Sequence, residues 1–161
     1  MRDELLSIIE KNSRIGINEL AAMLGVDELD VANEIKKLEE NGTICAYHTL
    51  IDWDKTNLDK VTALIEVRVT PQRGLGFDKI AQRIYNYPEV KSVYLISGGF
   101  DLMVILEQKN LKDIALFVSE KLSLLDSVIS TSTHFILKKY KDHGTVLHQN
   151  SPEDSREVVT P

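Results

Sequence analysis

One cysteine, four prolines and an aromatic content of 6% leave few shortcuts to a function in this 161-residue chain. A single thiol, Cys45, cannot close an internal disulfide; that excludes a disulfide scaffold and suits a reducing compartment, so the expected location is the cytoplasm. No apolar run approaches the roughly 20 residues of a membrane span, and no signal-peptide pattern opens the chain. His48, His134, His143 and His148 show no metal-ligand spacing with Cys45 or one another, so no metal is expected. Phosphate-cradling glycine loops, a nucleophile elbow and the zinc-peptidase motif are missing too, so no cofactor and no catalytic residue is expected. Positive charge is scarce as well. The net charge is −6, and residues 1–60 hold seven Lys or Arg against thirteen Asp or Glu, whereas residues 61–161 hold twelve of each.

What is present in that acidic half is a helix-turn-helix pattern. A first helix, from about Asp3 to Lys11, places Leu5, Ile8 and Ile9 at helical spacing. Two further amphipathic helices meet at Leu24-Gly25-Val26, with Leu20, Ala21 and Leu24 inward on one and Val31, Ile35 and Leu38 on the other. Asn41-Gly42 closes the third helix, and Ile44 to Asp52 reads as a strand or short hairpin, a wing, with Cys45 as a small core residue.

Such a unit lays its second helix in the major groove of double-stranded DNA. Arg14, Asn18, Asn33, Lys36 and Lys37 are the residues best placed to touch DNA, though each also reads as a plain solvated position. Asp27, Glu28 and Asp30 open the reading helix, where acids suit the helix dipole and Asp27 can cap an amide; there they also repel phosphates. Affinity for DNA comes mainly from neutralising phosphates, so weak, salt-sensitive binding is expected.

Residues 53–60 (WDKTNLDK) lack periodicity and read as a linker, with Asp52, Asp54 and Asp59 solvated. Beyond it come a strand (Val61 to Val69), a helix with Phe77, Ile80, Ala81 and Ile84 inward, and two strands joined at Gly98-Gly99 as a two-residue hairpin. A second helix carries the stripe Leu111, Ile114, Ala115, Val118, Leu122 and Leu125, and a last strand runs from Val128 to Lys141. The fold class is therefore α+β: an N-terminal winged helix-turn-helix (residues 1–52) followed by a ferredoxin-like β-α-β-β-α-β domain (residues 61–141) and a mobile tail (142–161). Two helices cover one sheet face only, yet Tyr94, Ile96, Met103 and Ile105 make the other face apolar, which predicts a homodimer packed sheet to sheet.

Three motifs in this order resemble the Lrp/AsnC family of transcriptional regulators over roughly residues 2 to 140. KKLEENGTI (Lys36 to Ile44) is similar to the family's R-L-E-x-x-G-x-I. Ser97-Gly98-Gly99-Phe100-Asp101 is similar to its T-G-x-Y/F-D turn, and ISTSTHFILKKYK (Ile129 to Lys141) to its Thr-containing final strand. The chain departs from the family at the reading helix, where a Ser cap and a basic residue near Glu34 are usual.

The resemblance implies dimers that build octamers or other rings, and a small-molecule effector, an amino acid or related metabolite, held where dimers meet. Asp101 is then either a turn cap or the charged member of the effector site, beside open amides at Gly98 and Gly99. Thr131 and Thr133 either supply hydroxyls to that pocket or are plain strand formers. Some siroheme-processing decarboxylases share the outline, with His and Arg in the strand before the middle hairpin. VKSVYLIS has neither, so no enzyme is expected. A second non-enzymatic reading is a ligand-sensing assembly protein, with little DNA affinity, that co-assembles with a paralogue.

Overall fold

A computed structural model describes residues 1–70 and 76–147, and the chain divides into two compact units at Leu50/Ile51. In the first, α1 (Arg2–Lys11), α2 (Ile17–Leu24) and α3 (Glu28–Glu40) bury Leu5, Leu20, Ala21, Val31 and Leu38 against one another. Each large aliphatic side chain buried this way contributes about 2 kcal/mol. The turn between α2 and α3 requires a left-handed residue, and Gly25 supplies it at φ 68°. Gly42 at φ 74° does the same after α3, where the Ile44 amide donates to the Leu38 carbonyl at 2.9 Å. Asp27 occupies the cap position of α3, but its side chain makes no capping bond; only its carbonyl accepts, from Asp30 and Val31.

The expected wing is not a strand. Residues 45–52 pair with no strand among the described residues. Cys45 is correspondingly exposed rather than core, its thiol 3.1 Å from the Gly42 carbonyl.

In the second unit, β1 (Val61–Val69), α4 (Asp78–Tyr85), β2 (Val90–Leu95), β3 (Leu102–Gln108), α5 (Leu111–Phe117) and β4 (Val128–Phe135) follow in chain order. The sheet runs β2-β3-β1-β4, antiparallel throughout. Ala63, Ile65 and Val67, with Leu102, Val104 and Leu106, form the face beneath Ile80 and Ile84 of α4 and Ile114 and Phe117 of α5. Alternation sends Leu64, Glu66, Met103 and Ile105 to the opposite, open face. There the β2–β3 half, with Tyr94 52% exposed, is apolar; toward β4, Glu66 pairs with His134 at 3.3 Å.

The helical stripe of α5 differs from expectation. Leu111 and Ala115 are exposed, and Phe117 takes the inward place. The five-residue step from Phe117 to Leu122 is one π turn (Val118–Leu122), closed by the Ser123 amide on the Val118 carbonyl at 2.8 Å. Residues 141–147, placed across the last strand and the tail by sequence, include a small hairpin of β5 (Lys141–Asp142) and β6 (Thr145–Val146). His143 and Gly144 turn it at φ 44° and 78°. Residues 148–161 of the expected tail lie outside the described residues.

Candidate effector turn and DNA-reading helix

The turn between β2 and β3 is wider than two residues. Leu95 pairs with Leu102, and the Ile96 amide donates to the Asp101 carbonyl at 2.8 Å, leaving Ser97–Phe100 as the loop. Neither Gly98 nor Gly99 has the positive φ that a two-residue hairpin demands, so the hairpin reading of that pair is corrected. Their use lies in access. A Cβ at Gly99 would meet nothing within 4 Å, and the backbone there is open to an approaching molecule.

Asp101 is held from three directions. Its amide donates to the Val67 carbonyl at 3.1 Å, its carbonyl accepts from Ile96, and its Oδ2 accepts the Val69 amide at 2.9 Å. The last bond has a clear cause. β3 begins at Leu102, opposite Val67, so the Val69 amide lies beyond the ladder and would be unsatisfied without the carboxylate. The carboxylate therefore serves an amide of the neighbouring strand, not the amides of its own turn that the turn-cap account gave it.

Thr131 and Thr133 stand opposite Val67 and Ile65 on β4, both half-buried and on the helix-covered face. Two strand spacings, about 10 Å, separate β4 from β3. Within one chain, Gly98, Gly99 and Asp101 come together, and the two threonines stay apart from them.

In the first unit Arg14, Asn18, Asn33, Lys36 and Lys37 are all exposed. Leu29, Asn33, Lys36 and Glu40 follow one another at helical spacing on the side of α3 away from Val31 and Leu38. Sequence reasoning passed over Leu29, which is 70% exposed on this outer stripe. Lys36 lies 3.8 Å from Glu40, and Lys37 4.0 Å from Glu34. The Lys36–Glu40 pair is exposed and worth under about 1 kcal/mol, so Lys36 can exchange its acid for a phosphate; Glu34, beside Lys37, is half-buried. Near the end of α3, Tyr47 donates to Glu39 at 2.8 Å; burial first, then that acid, pushes the phenol upward.

A further cluster was invisible as chemistry in the sequence. Trp53–Lys55 forms a 3₁₀ turn, Lys60 sits 3.5 Å over the Trp53 ring, and Asp52, expected to be solvated, is half-buried. Its one sequence signal is a lone tryptophan in an otherwise polar stretch. Among the described residues no group of His, Cys, Asp and Glu is arranged to hold a metal, and no helix is long and apolar enough to cross a membrane.

Comparison with known proteins bears on both units. The family described as the Lrp/AsnC ligand binding domain matches residues 62–146. An HTH-type transcriptional regulator of Bacillus subtilis is 49% identical over 159 residues, 98% of this chain and 95% of its own length. The proline dehydrogenase transcriptional activator of Rhodobacter capsulatus is 31% identical over 88% of this chain and 87% of its own. Among solved structures, a transcriptional regulator of Neisseria meningitidis in complex with L-methionine has the same fold. Its TM-score is 0.70 at 22% identity, over 88% of this chain and 90% of that one.

Proposed function

The chain belongs to the Lrp/AsnC family of transcriptional regulators, and from that membership we propose a DNA-binding regulator whose assembly or DNA affinity responds to a free amino acid or related metabolite. Residues 1–52 serve as the reading head, 53–60 as the connection, and 61–141 as the effector-binding and dimerising domain. The observation that carries the effector reading is the Ser97–Asp101 turn. Gly98 and Gly99 leave backbone amides open to a ligand carboxylate, and Asp101 keeps Oδ1 to accept from an ammonium while Oδ2 is engaged with Val69. Methionine bound to the Neisseria regulator supports an amino acid as the ligand class.

The open sheet face supports a homodimer, because Leu64, Met103 and Ile105 form an apolar surface that a second copy would cover. Larger rings, octamers among them, follow from the resemblance. Thr131 and Thr133 enter the effector pocket only if a neighbouring subunit brings them there.

Co-assembly with a basic paralogue is the second reading. It is favoured by Lys36 and Lys37, each paired with an acid on its own helix, in a half with thirteen acids and seven bases over residues 1–60. A gel shift on the chain's own upstream DNA, with and without a panel of amino acids, tests both. A shift by the protein alone that an amino acid alters supports the regulator. No shift at low salt with any amino acid would overturn direct DNA binding and leave co-assembly.

A further inference from the structure

Buried Val31 and Leu38 fix which side of α3 is inward. At about 100° per residue, Leu29 stands about 160° from Val31 and Asn33 about 160° from it the other way, so the two straddle the outermost line of the helix. Leu29 is 70% exposed and takes no part in the core of this unit. A single exposed leucine is ordinary on a protein surface. This one sits in the first turn of the helix that reads DNA in a helix-turn-helix, where side chains meet base edges.

The acids that open α3 are displaced from that line. Glu28 and Asp30 lie about 100° to either side of Leu29, toward the phosphate walls of a major groove whose floor Leu29 and Asn33 would face. Repulsion by these acids lowers phosphate attraction for every sequence alike, so a duplex that binds must gain its affinity at base edges. There an apolar side chain discriminates. Leucine cannot hydrogen-bond, and laid over a purine N7 or a guanine O6 it would strip an acceptor of water without replacing it. Thymine presents an apolar group in the major groove, its C5 methyl, and adenine presents the N6 and N7 atoms that an asparagine amide bonds together.

We propose that Leu29 is a specificity-determining residue, which reads thymine through the C5 methyl while Asn33 reads an adenine about two base pairs away. The spacing follows from the helix, since four residues rise about 6 Å and base pairs stack about 3.4 Å apart. The inference rests on the DNA-binding reading of residues 1–52 and names what that surface recognises.

The full chain is incubated with a random-sequence duplex pool at low salt, with and without a mixture of free amino acids. Enriched duplexes are remade with uracil in place of thymine, which removes only the C5 methyl. Wild type should bind the thymine form about fourfold tighter for each methyl contacted. Leu29→Ala should bind both forms alike, near the wild type's affinity for the uracil form. Its salt slope and thermal melt should be those of wild type, because the change touches neither a phosphate nor the core. Asn33→Ala should keep the thymine preference and lose that for adenine. Equal binding of the two forms by wild type would overturn the assignment, as would a Leu29→Ala protein that keeps the preference. A Leu29→Ala protein that loses affinity for both forms equally would overturn it too, the leucine then serving protein contacts. A pool from which nothing is retained would remove DNA binding itself and this inference with it, whereas enrichment blind to the methyl removes the inference alone.

Discussion

The Asp101 carboxylate accepts the backbone amide of Val69 across 32 residues of sequence, at 2.9 Å, where the ladder with β3 has ended and β1 continues. One side chain thereby finishes a ladder that the strand lengths leave incomplete. The same residue is the charged member of the proposed effector turn, so its structural and ligand-binding roles must be separated by chemistry.

Asp101→Ala should destabilise the protein by about 1–3 kcal/mol, because the amide of buried Val69 is left unpaired. Asp101→Asn keeps an acceptor for that amide and should lose much less. Urea denaturation measures both, and calorimetry with the amino acid found to alter the gel shift then isolates the charge. Equal binding to wild type and Asp101→Asn would make Asp101 structural only.

Lys36→Ala with Lys37→Ala should weaken binding to all DNA sequences alike, and the slope of log affinity against log salt should fall by about two. Glu34→Arg should raise affinity for nonspecific duplex at low salt, since it frees Lys37 and adds a cation. An unchanged affinity would show that the acidic face of α3 is not what limits binding.

Met103→Asp should turn the proposed dimer into monomers in sedimentation at micromolar concentration, since a charge buried without a partner is expensive. A wild type that sediments as a folded monomer under those conditions would remove the sheet-to-sheet interface.

The hydrogen bond from Lys121 holds the Glu89 carboxyl below its ordinary value, burial opposing it. With the folded pKa depressed, the pair's contribution is fully present above the unfolded carboxyl range and is lost as pH falls through the folded value. Glu89→Gln should therefore flatten the acid limb of a stability–pH curve while changing the slope little above neutrality. An identical acid limb would show that the pair is not coupled to folding.

Periodicity located α1 to α5 and β1 to β4 because each buries one face, and a repeat of 3.6 or 2 marks which. It left Phe117 out of the stripe of α5, and the π turn that follows has no compositional mark. Cys45 and its neighbours looked like a strand by their β-branched and aromatic residues, but a strand also needs a partner, which no local pattern records. Trp53 and Lys60 were legible as polar chain and not as a cluster, since Glu107, which lies beside Lys60, and Lys139, which lies beside Glu107, are far along the sequence. At the proposed effector turn the glycines and the acid were legible together. The Val69 bond was not, because it depends on where two strands stop.

The π turn at Val118–Leu122 carries one residue more than an α-helical turn would need between Phe117 and Leu122. In a regular helix, deleting one residue rotates everything after it by about 100° and drives an apolar stripe into water. Here the deletion of Ser119 would bring Phe117 and Leu122 to ordinary i, i+4 spacing and keep both against the sheet. This helix therefore has a place where its length can drift by a residue without losing its footing.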